Sequence, residues 1–456
     1  MSYPQKKPKL SHSHNQTVAG PSNDESPPKI FKLNIDCFDE IFEYLNVKDL
    51  YSFGQTCKRM NKVAGEYFKQ NHSSAQKLCL YDGIYTKYSN KDGVSKHIQT
   101  SGFNKFMPSV SIEVVPYKYI KSHITEFEST KHIYLSELCI NNETVEHFKQ
   151  LLPPLEIVQL EDCAMYGDFY DLILKYCKNL RKIYFQDSYF GFQINGKTNW
   201  LLQEYPKLER LELTPDDTSQ IEELREFFVR NPNVQRFSTN SEFLWENADI
   251  FLNSNAKLDI LELKNVLVYK QSPSYVKQTF DLLNQLHEQG FYKRLYIYFN
   301  NVDEGESISL ASLRGLELLS IRSSRESYNL AQLTNLRELI ILDPLDVKDM
   351  EILANGLTKL ERLYIDEASI DEIIPFVRRS PKLNKIKFIP KWKGVVLNLA
   401  MLNAERAKLA GALKIIFYTR DDVFLATKWT TRNGDTNLSF IEMRRSDSFE
   451  WNPHYR

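Results

Sequence analysis

Along most of this chain the apolar positions follow one rhythm: apolar-x-x-apolar-x-apolar, a loop, then a helical stretch. Clear copies begin at Thr130 (Ile133, Leu135), Leu155 (Val158, Leu160), Leu180 (Ile183, Phe185), Leu208 (Leu211, Leu213), Val234 (Phe237, with polar Thr239) and Leu258 (Leu261, Leu263). They continue at Tyr292 (Leu295, Ile297), Leu316 (Leu319, Ile321), Leu336 (Leu339, Ile341), Leu360 (Leu363, Ile365) and Leu383 (Ile386, Phe388). Two weaker copies precede them, at Leu78/Leu80 and Val110/Ile112. Each run alternates as a strand with one buried face does. The segments between them, such as Thr144–Leu152, Asp168–Cys177, Ile221–Val229, Tyr275–His287 and Asp371–Arg379, carry apolar residues at helical spacing.

Strand and helix alternating at about 25 residues per step predict an α/β solenoid, the leucine-rich-repeat horseshoe. The repeats are degenerate. Cys163 fits the Asn/Cys position of the consensus, whereas Ser188, Asp216, Val266 and Ala368 stand there in other copies.

The first 72 residues have another pattern. Residues 1–29 are polar, with too little apolar surface to offset the entropy of ordering, and predict a disordered tail. From 33 to 45, Cys37, Phe38, Ile41, Phe42 and Leu45 line one broad helix face, with Asn34 or Asp36 as its cap. Asn46 interrupts the pattern; Leu50 and Phe53 begin a second helix, and Lys58–Phe68 a third, with Met60, Val63, Ala64, Tyr67 and Phe68. Three short helices make too small a core to stand alone, so their apolar faces need a partner. At the other end, residues 396–445 predict a cap over the last repeat. Its expected parts are a helix at 399–409 and strands at 413–419, 424–430 and 438–443, the last two joined in a hairpin at Asn433-Gly434. The organisation is thus a tail at 1–29, a helical module at 30–72, about 11 clear and up to 13 repeats at 73–395, and a C-terminal cap and tail at 396–456.

Residues 30–70 resemble an F-box. The family's Leu-Pro opening, Tyr-Leu helix end, Asp-Leu pair and Cys-Lys/Arg-Arg-Trp stretch stand here as Leu33-Asn34, Tyr44-Leu45, Asp49-Leu50 and Cys57-Lys58-Arg59-Met60. Asn34 replaces proline and Met60 replaces tryptophan; neither removes the apolar face of the first helix. An F-box before such repeats resembles the F-box/leucine-rich-repeat family. That resemblance implies a non-catalytic substrate receptor of a Skp–cullin–F-box ubiquitin ligase. The Skp-type adaptor, and through it cullin and a RING protein, would meet Leu33, Cys37, Phe38, Ile41, Phe42, Leu45, Leu50, Phe53, Met60 and Val63.

A protein client would meet the concave face, because strand side chains alternate. The row before the first core position holds six Lys or Arg against one Glu, and tyrosines recur in the central row. Candidate client residues are Tyr134, Lys182, Tyr184, Arg210, Arg236, Arg294, Tyr296, Tyr298, Arg322, Arg362, Tyr364 and Lys385. Tyr298, Leu318, Ile340 and Leu342 add a candidate apolar docking patch. A basic, aromatic surface suits an acidic or phosphorylated segment. Charge kept only for solubility, and a repeat scaffold without a ligase role, are the competing accounts.

Composition narrows the classes. Hydrophobic residues are 42% and charged ones 26%, with a formal net charge of -1, so nucleic acid and anionic membranes are not expected partners. No apolar run reaches the roughly 18 residues that span a bilayer, and the first residues lack a signal-peptide pattern. A cytoplasmic or nuclear protein is expected, in which the sequons at Asn15, Asn71, Asn142 and Asn437 are chance matches. Lys6, Lys7 and Lys9 form a small basic cluster that reads as a nuclear-import signal or a solvated tail. The six cysteines show no Cys-x-x-Cys pair and are expected to be small buried apolar residues. No phosphate loop, nucleophile elbow or His-Glu-x-x-His occurs, the pairs Asp216-Asp217 and Asp421-Asp422 read as solvated turns, and no metal or cofactor is expected.

Overall fold

Asn34 and Asn46, the two residues that break the N-terminal apolar pattern, each begin a helix. In the computed structural model, the Asn34 side chain accepts the Cys37 N–H at 2.9 Å and that of Asn46 accepts the Asp49 N–H at 2.9 Å. They cap helix α1 (Ile35–Phe42) and helix α2 (Val47–Gly54); α3 spans Lys58–Asn71. Phe38, Phe42, Leu50, Met60, Ala64, Tyr67 and Phe68 form a separate small core. Phe103 and Met107 from the neighbouring segment complete it, with Phe103 5.1 Å from the Phe68 ring. The helices therefore borrow part of their core from the first repeats.

The structure describes residues 30, 33–72, 75–80, 83–88, 96–98, 101–113, 117–186, 199–215, 220–266, 273–302, 304–324, 327–343 and 345–446. The expected tail with its basic cluster, Ser188, Asp216-Asp217 and the last ten residues lie outside them.

Among the described residues, all eleven clear copies and the two weaker ones are strands of one 17-stranded sheet. Every adjacent pairing from Gln76–Leu80 to Ile441–Arg445 is parallel. Gly83–Tyr88 and Lys96–Ile98 add an antiparallel edge. The core positions stack in register, Ile133 on Val158, Val158 on Ile183, Ile183 on Leu211, Leu211 on Phe237. They belong to one hydrophobic core that runs without a break from Cys79 to Met443.

Three expectations change. In the first strand Lys77 and Cys79, not Leu78 and Leu80, stack on the core pair Val110 and Ile112. A slip of one residue reverses which face a strand buries. At the long strand Tyr292–Val302 the register moves by two: Leu319 stacks on Ile297 rather than Leu295, so Tyr298 lies beside Ser320 and Tyr296 beside Leu318. An even shift keeps the apolar face inward. The C-terminal cap is not a hairpin. Residues Asp421–Thr430 are a helix, with Val423, Phe424, Thr427 and Lys428 buried on one side, and Ile441–Arg445 pairs in parallel with Ile415–Thr419. Parallel neighbours need a crossover, and this helix supplies it. Asn433 and Gly434 do adopt positive φ, 61° and 66°, but turn the chain just beyond that helix.

Arg406 closes the last helical layer. Its guanidinium is buried and donates to the carbonyls of Val377 (3.0 Å), Ser380 (2.9 Å), Pro381 (3.1 Å), Leu383 (2.8 Å) and Leu413 (3.0 Å). These carbonyls gather at the negative end of the helix Ile370–Arg379, which suits a cation. Burial pushes the group down to about 10.

Candidate functional site

Two surfaces were expected to act, and the structure divides both candidate sets. On the N-terminal helices, Phe38, Phe42, Leu50 and Met60 are at most 2% exposed and hold the helices together. Phe38 and Phe42 stack on each other with ring centroids 5.7 Å apart, and Phe42 meets Tyr67 edge-on at 5.3 Å. Leu33, Leu45, Phe53 and Val63 are half-buried against that core. Cys37 and Ile41 face solvent, and at i and i+4 they share a side of α1. Ile35, the most exposed of these apolar side chains at 62%, stood off the predicted face and was missed. Cysteines divide in the same way: Cys79, Cys163 and Cys177 are buried, with thiols pushed up to about 12 by burial, whereas Cys37 and Cys139 are exposed.

The concave face is less basic than its rows imply. Arg210 and Arg236 both pair with Glu262, at 2.9 and 2.8 Å, and Arg210 also reaches Glu212 at 3.1 Å. Lys264 pairs with Glu212, and Ser238 donates to Glu262 at 2.6 Å. Glu212 and Glu262 are fully buried. Burial alone would push the Glu262 carboxyl up; Arg210, Arg236 and Lys264 overcome it and hold it well below the carboxylate range. Arg210 also lies over the Tyr184 ring and Arg236 over Tyr296, at 4.9 and 5.2 Å. Farther along, Arg294 pairs with Asp259, and Arg362 with Glu338 at 3.7 Å. Of the basic candidates, Lys182 and Lys385 are half-buried and Arg322 is exposed. Burial, then Arg210 and Arg236, push the Lys182 ammonium down.

The expected apolar docking patch is closed. Tyr296, Tyr298, Leu318 and Ile340 are each at most 7% exposed and bury one another, with Ile260, Leu342 and Tyr364 packed around them. Tyr134 donates to Glu161, and its hydroxyl is pushed up by burial first and by that carboxylate second. What remains open on this face is a mixed surface of half-buried lysine, arginine and tyrosine. The compensating carboxylates Glu212 and Glu262 were visible in the central row; reading the two rows together, as interleaved neighbours, would have found them.

A third feature had no sequence signal. The last repeat returns to touch α1. Arg445 donates to the carbonyls of Glu43 (2.8 Å) and Leu45 (2.9 Å), pairs with Asp421 and lies over the Phe424 ring at 4.9 Å. Lys428 pairs with Glu43 and lies 4.7 Å from the centre of the Tyr44 ring. Tyr44 meets Trp429 edge-on at 5.0 Å. The N-terminal helices are thus fixed at both ends of the solenoid.

Residues 30–67 match the model of the F-box domain, so the N-terminal helices are an F-box. F-box domains bind Skp-type adaptors. No curated protein matches the chain. Among solved structures, the chain is similar to an internalin of Listeria monocytogenes, 12% identical over 75% of this chain and 94% of that one, with a TM-score of 0.26. It is also similar to a chain of the Drosophila Toll–Spatzle complex, 11% identical over 70% and 45%, with a TM-score of 0.22.

Proposed function

We propose that this protein is the substrate-recognition subunit of a Skp–cullin–F-box ubiquitin ligase, working without catalysis of its own in the cytoplasm or nucleus. The F-box docks the adaptor, which brings cullin and a RING protein, and the concave face of the repeats holds a protein client. The observation that carries this reading is the F-box at residues 30–67 joined to a long parallel solenoid. Its helices close their core with Phe103 and Met107 and leave Ile35, Cys37 and, at 38%, Ile41 exposed, where a partner can bury them at about 25 cal/mol per Å² of apolar surface. On the concave face, internal ion pairs leave Lys182, Arg322 and Lys385 as the basic contacts for a client.

Purification of the tagged chain from cells, followed by mass spectrometry, is expected to recover adaptor, cullin and RING protein together. Recovery of other partners with no adaptor would overturn the reading. One observation favours the second account, a repeat scaffold in which the helices serve only as a cap: they are packed against both ends of the solenoid. The same purification decides between the two.

A further inference from the structure

Helix α1 and the last repeat form one continuous surface. Cys37 and Ile41 lie on one side of α1, and the chain then makes a further turn in which the Tyr44 N–H donates to the Ile41 carbonyl at 3.1 Å. At i+3 from Ile41, Tyr44 continues the same row. Its ring meets Trp429, which is 67% exposed. A single exposed aromatic needs no explanation of its own. This one differs because it meets Tyr44, the end of the row Cys37–Ile41–Tyr44, and because its neighbour Lys428 is held by Glu43 and the Tyr44 ring.

Lys428, one residue before it, is buried between Glu43 and the Tyr44 ring. Arg445 ties the carbonyls at the end of α1 to Asp421. Gly434 has a positive φ that favours glycine, and a Cβ there would displace the Tyr44 hydroxyl. A recess of about 460 Å³, lined by Tyr44, Lys428, Trp429, Thr431, Asn433 and Gly434, opens beside the indole. Specific interfaces cover about 800 Å² on each partner. An interface of that size extends past a single helix face, and Trp429 adjoins α1 through its contact with Tyr44.

We propose that the Skp-type adaptor docks on a composite surface, α1 of the F-box together with the last repeat, with Trp429 as an anchor outside the F-box. The inference rests on the adaptor reading given above. Preorganisation favours it, because the clamp removes the ordering cost that a loose C-terminal segment would impose on binding.

The test is a titration of the full chain with purified adaptor. Trp429→Ala is expected to weaken binding by roughly 10- to 100-fold, the effect of losing an aromatic anchor. Its melting temperature should stay near that of the parent, because the side chain is mostly in solvent. Oxidative footprinting of the unmutated chain provides a second measurement: modification of Trp429 should slow when adaptor is added. Parent-like affinity of Trp429→Ala with unchanged footprinting, while Cys37→Lys/Ile41→Lys abolishes binding, would overturn the composite surface and leave the adaptor reading standing. Unchanged binding in Cys37→Lys/Ile41→Lys would also overturn the composite surface, and absence of binding by the parent chain would overturn the adaptor reading and the composite surface with it.

Discussion

The exposed side of α1 and the inner face of the repeats treat their side chains in opposite ways. The F-box has a core of a few rings, closes it with help from Phe103 and Met107, and leaves apolar Ile35, Cys37 and Ile41 outside. The solenoid has an unbroken core and buries even its concave-face residues: Glu262 between two arginines, and Tyr296 and Tyr298 among aliphatic neighbours. Exposed apolar side chains occur on the repeats too, Tyr328 and Trp392 among them, and those of α1 stand apart only because we propose that a partner covers them. Charge and aromatic side chains on the repeats are largely spent on one another, so a count of basic residues overstates what a client meets. A surface has to be read after its internal pairs are removed.

The comparison can be broken from either side, starting with the largest effects. Phe38→Ala should cost the F-box about 3–5 kcal/mol, the usual effect of emptying an aromatic site in a core. Hydrogen exchange over α1–α3 would report it while the repeats keep their protection. Glu262→Gln should cost about 3–5 kcal/mol in the repeats, because Arg210 and Arg236 lose the charge that compensates them in a buried setting. Denaturant unfolding followed through the repeats would measure that loss. Equal stability of parent and Glu262→Gln would mean that the concave network is solvated.

Lys77→Met should act in the opposite direction. Lys77 is buried, donates to Thr130 at 2.9 Å, and its ammonium is pushed down to about 8, chiefly by burial. A base whose folded value lies below its unfolded one pays the cost of burying charge fully below pH 8. That cost fades as pH rises from 8 toward 10.5. Lys77→Met is therefore expected to stabilise the chain by about 1–3 kcal/mol at pH 7, with the gain shrinking across that window. Thermal melts of both chains at pH 7 and pH 10 would check the sign. The smallest effect belongs to the exposed face: Cys37→Lys/Ile41→Lys should cost about 1 kcal/mol or less, since both sites are exposed and a cation at position 41 suits the end of α1 while one at position 37 opposes its start. Melting temperature and circular dichroism would confirm that the helices are intact.

Local patterns carried most of the architecture. The spacing Ile133-x-Leu135 or Leu363-x-Ile365 declares a strand and its buried face at once, and the stacked register follows. Patterns failed where two elements share a composition. Val423-Phe424-Leu425-Ala426 fits a short strand or one side of a helix, and Asn433-Gly434 fits a hairpin or the turn after a helix. Parallel pairing of the flanking strands decided for the helix. The site was less legible because its partners are distant in sequence. Glu262 lies 52 residues from Arg210, and Arg445 lies 402 residues from Glu43, separations at which periodicity says nothing. Ile35 was missed for another reason: helical periodicity finds the face a helix buries, and this exposed residue stands off that face.

We propose that the F-box carries a docking face separable from its own folding, and one measurement addresses this directly. The parent chain and Cys37→Lys/Ile41→Lys would be titrated with purified Skp-type adaptor by calorimetry, after their melting curves are shown to coincide. A saturable one-to-one complex for the parent and none for the variant is the predicted result. Equal binding by both chains, or binding by neither, would contradict the account.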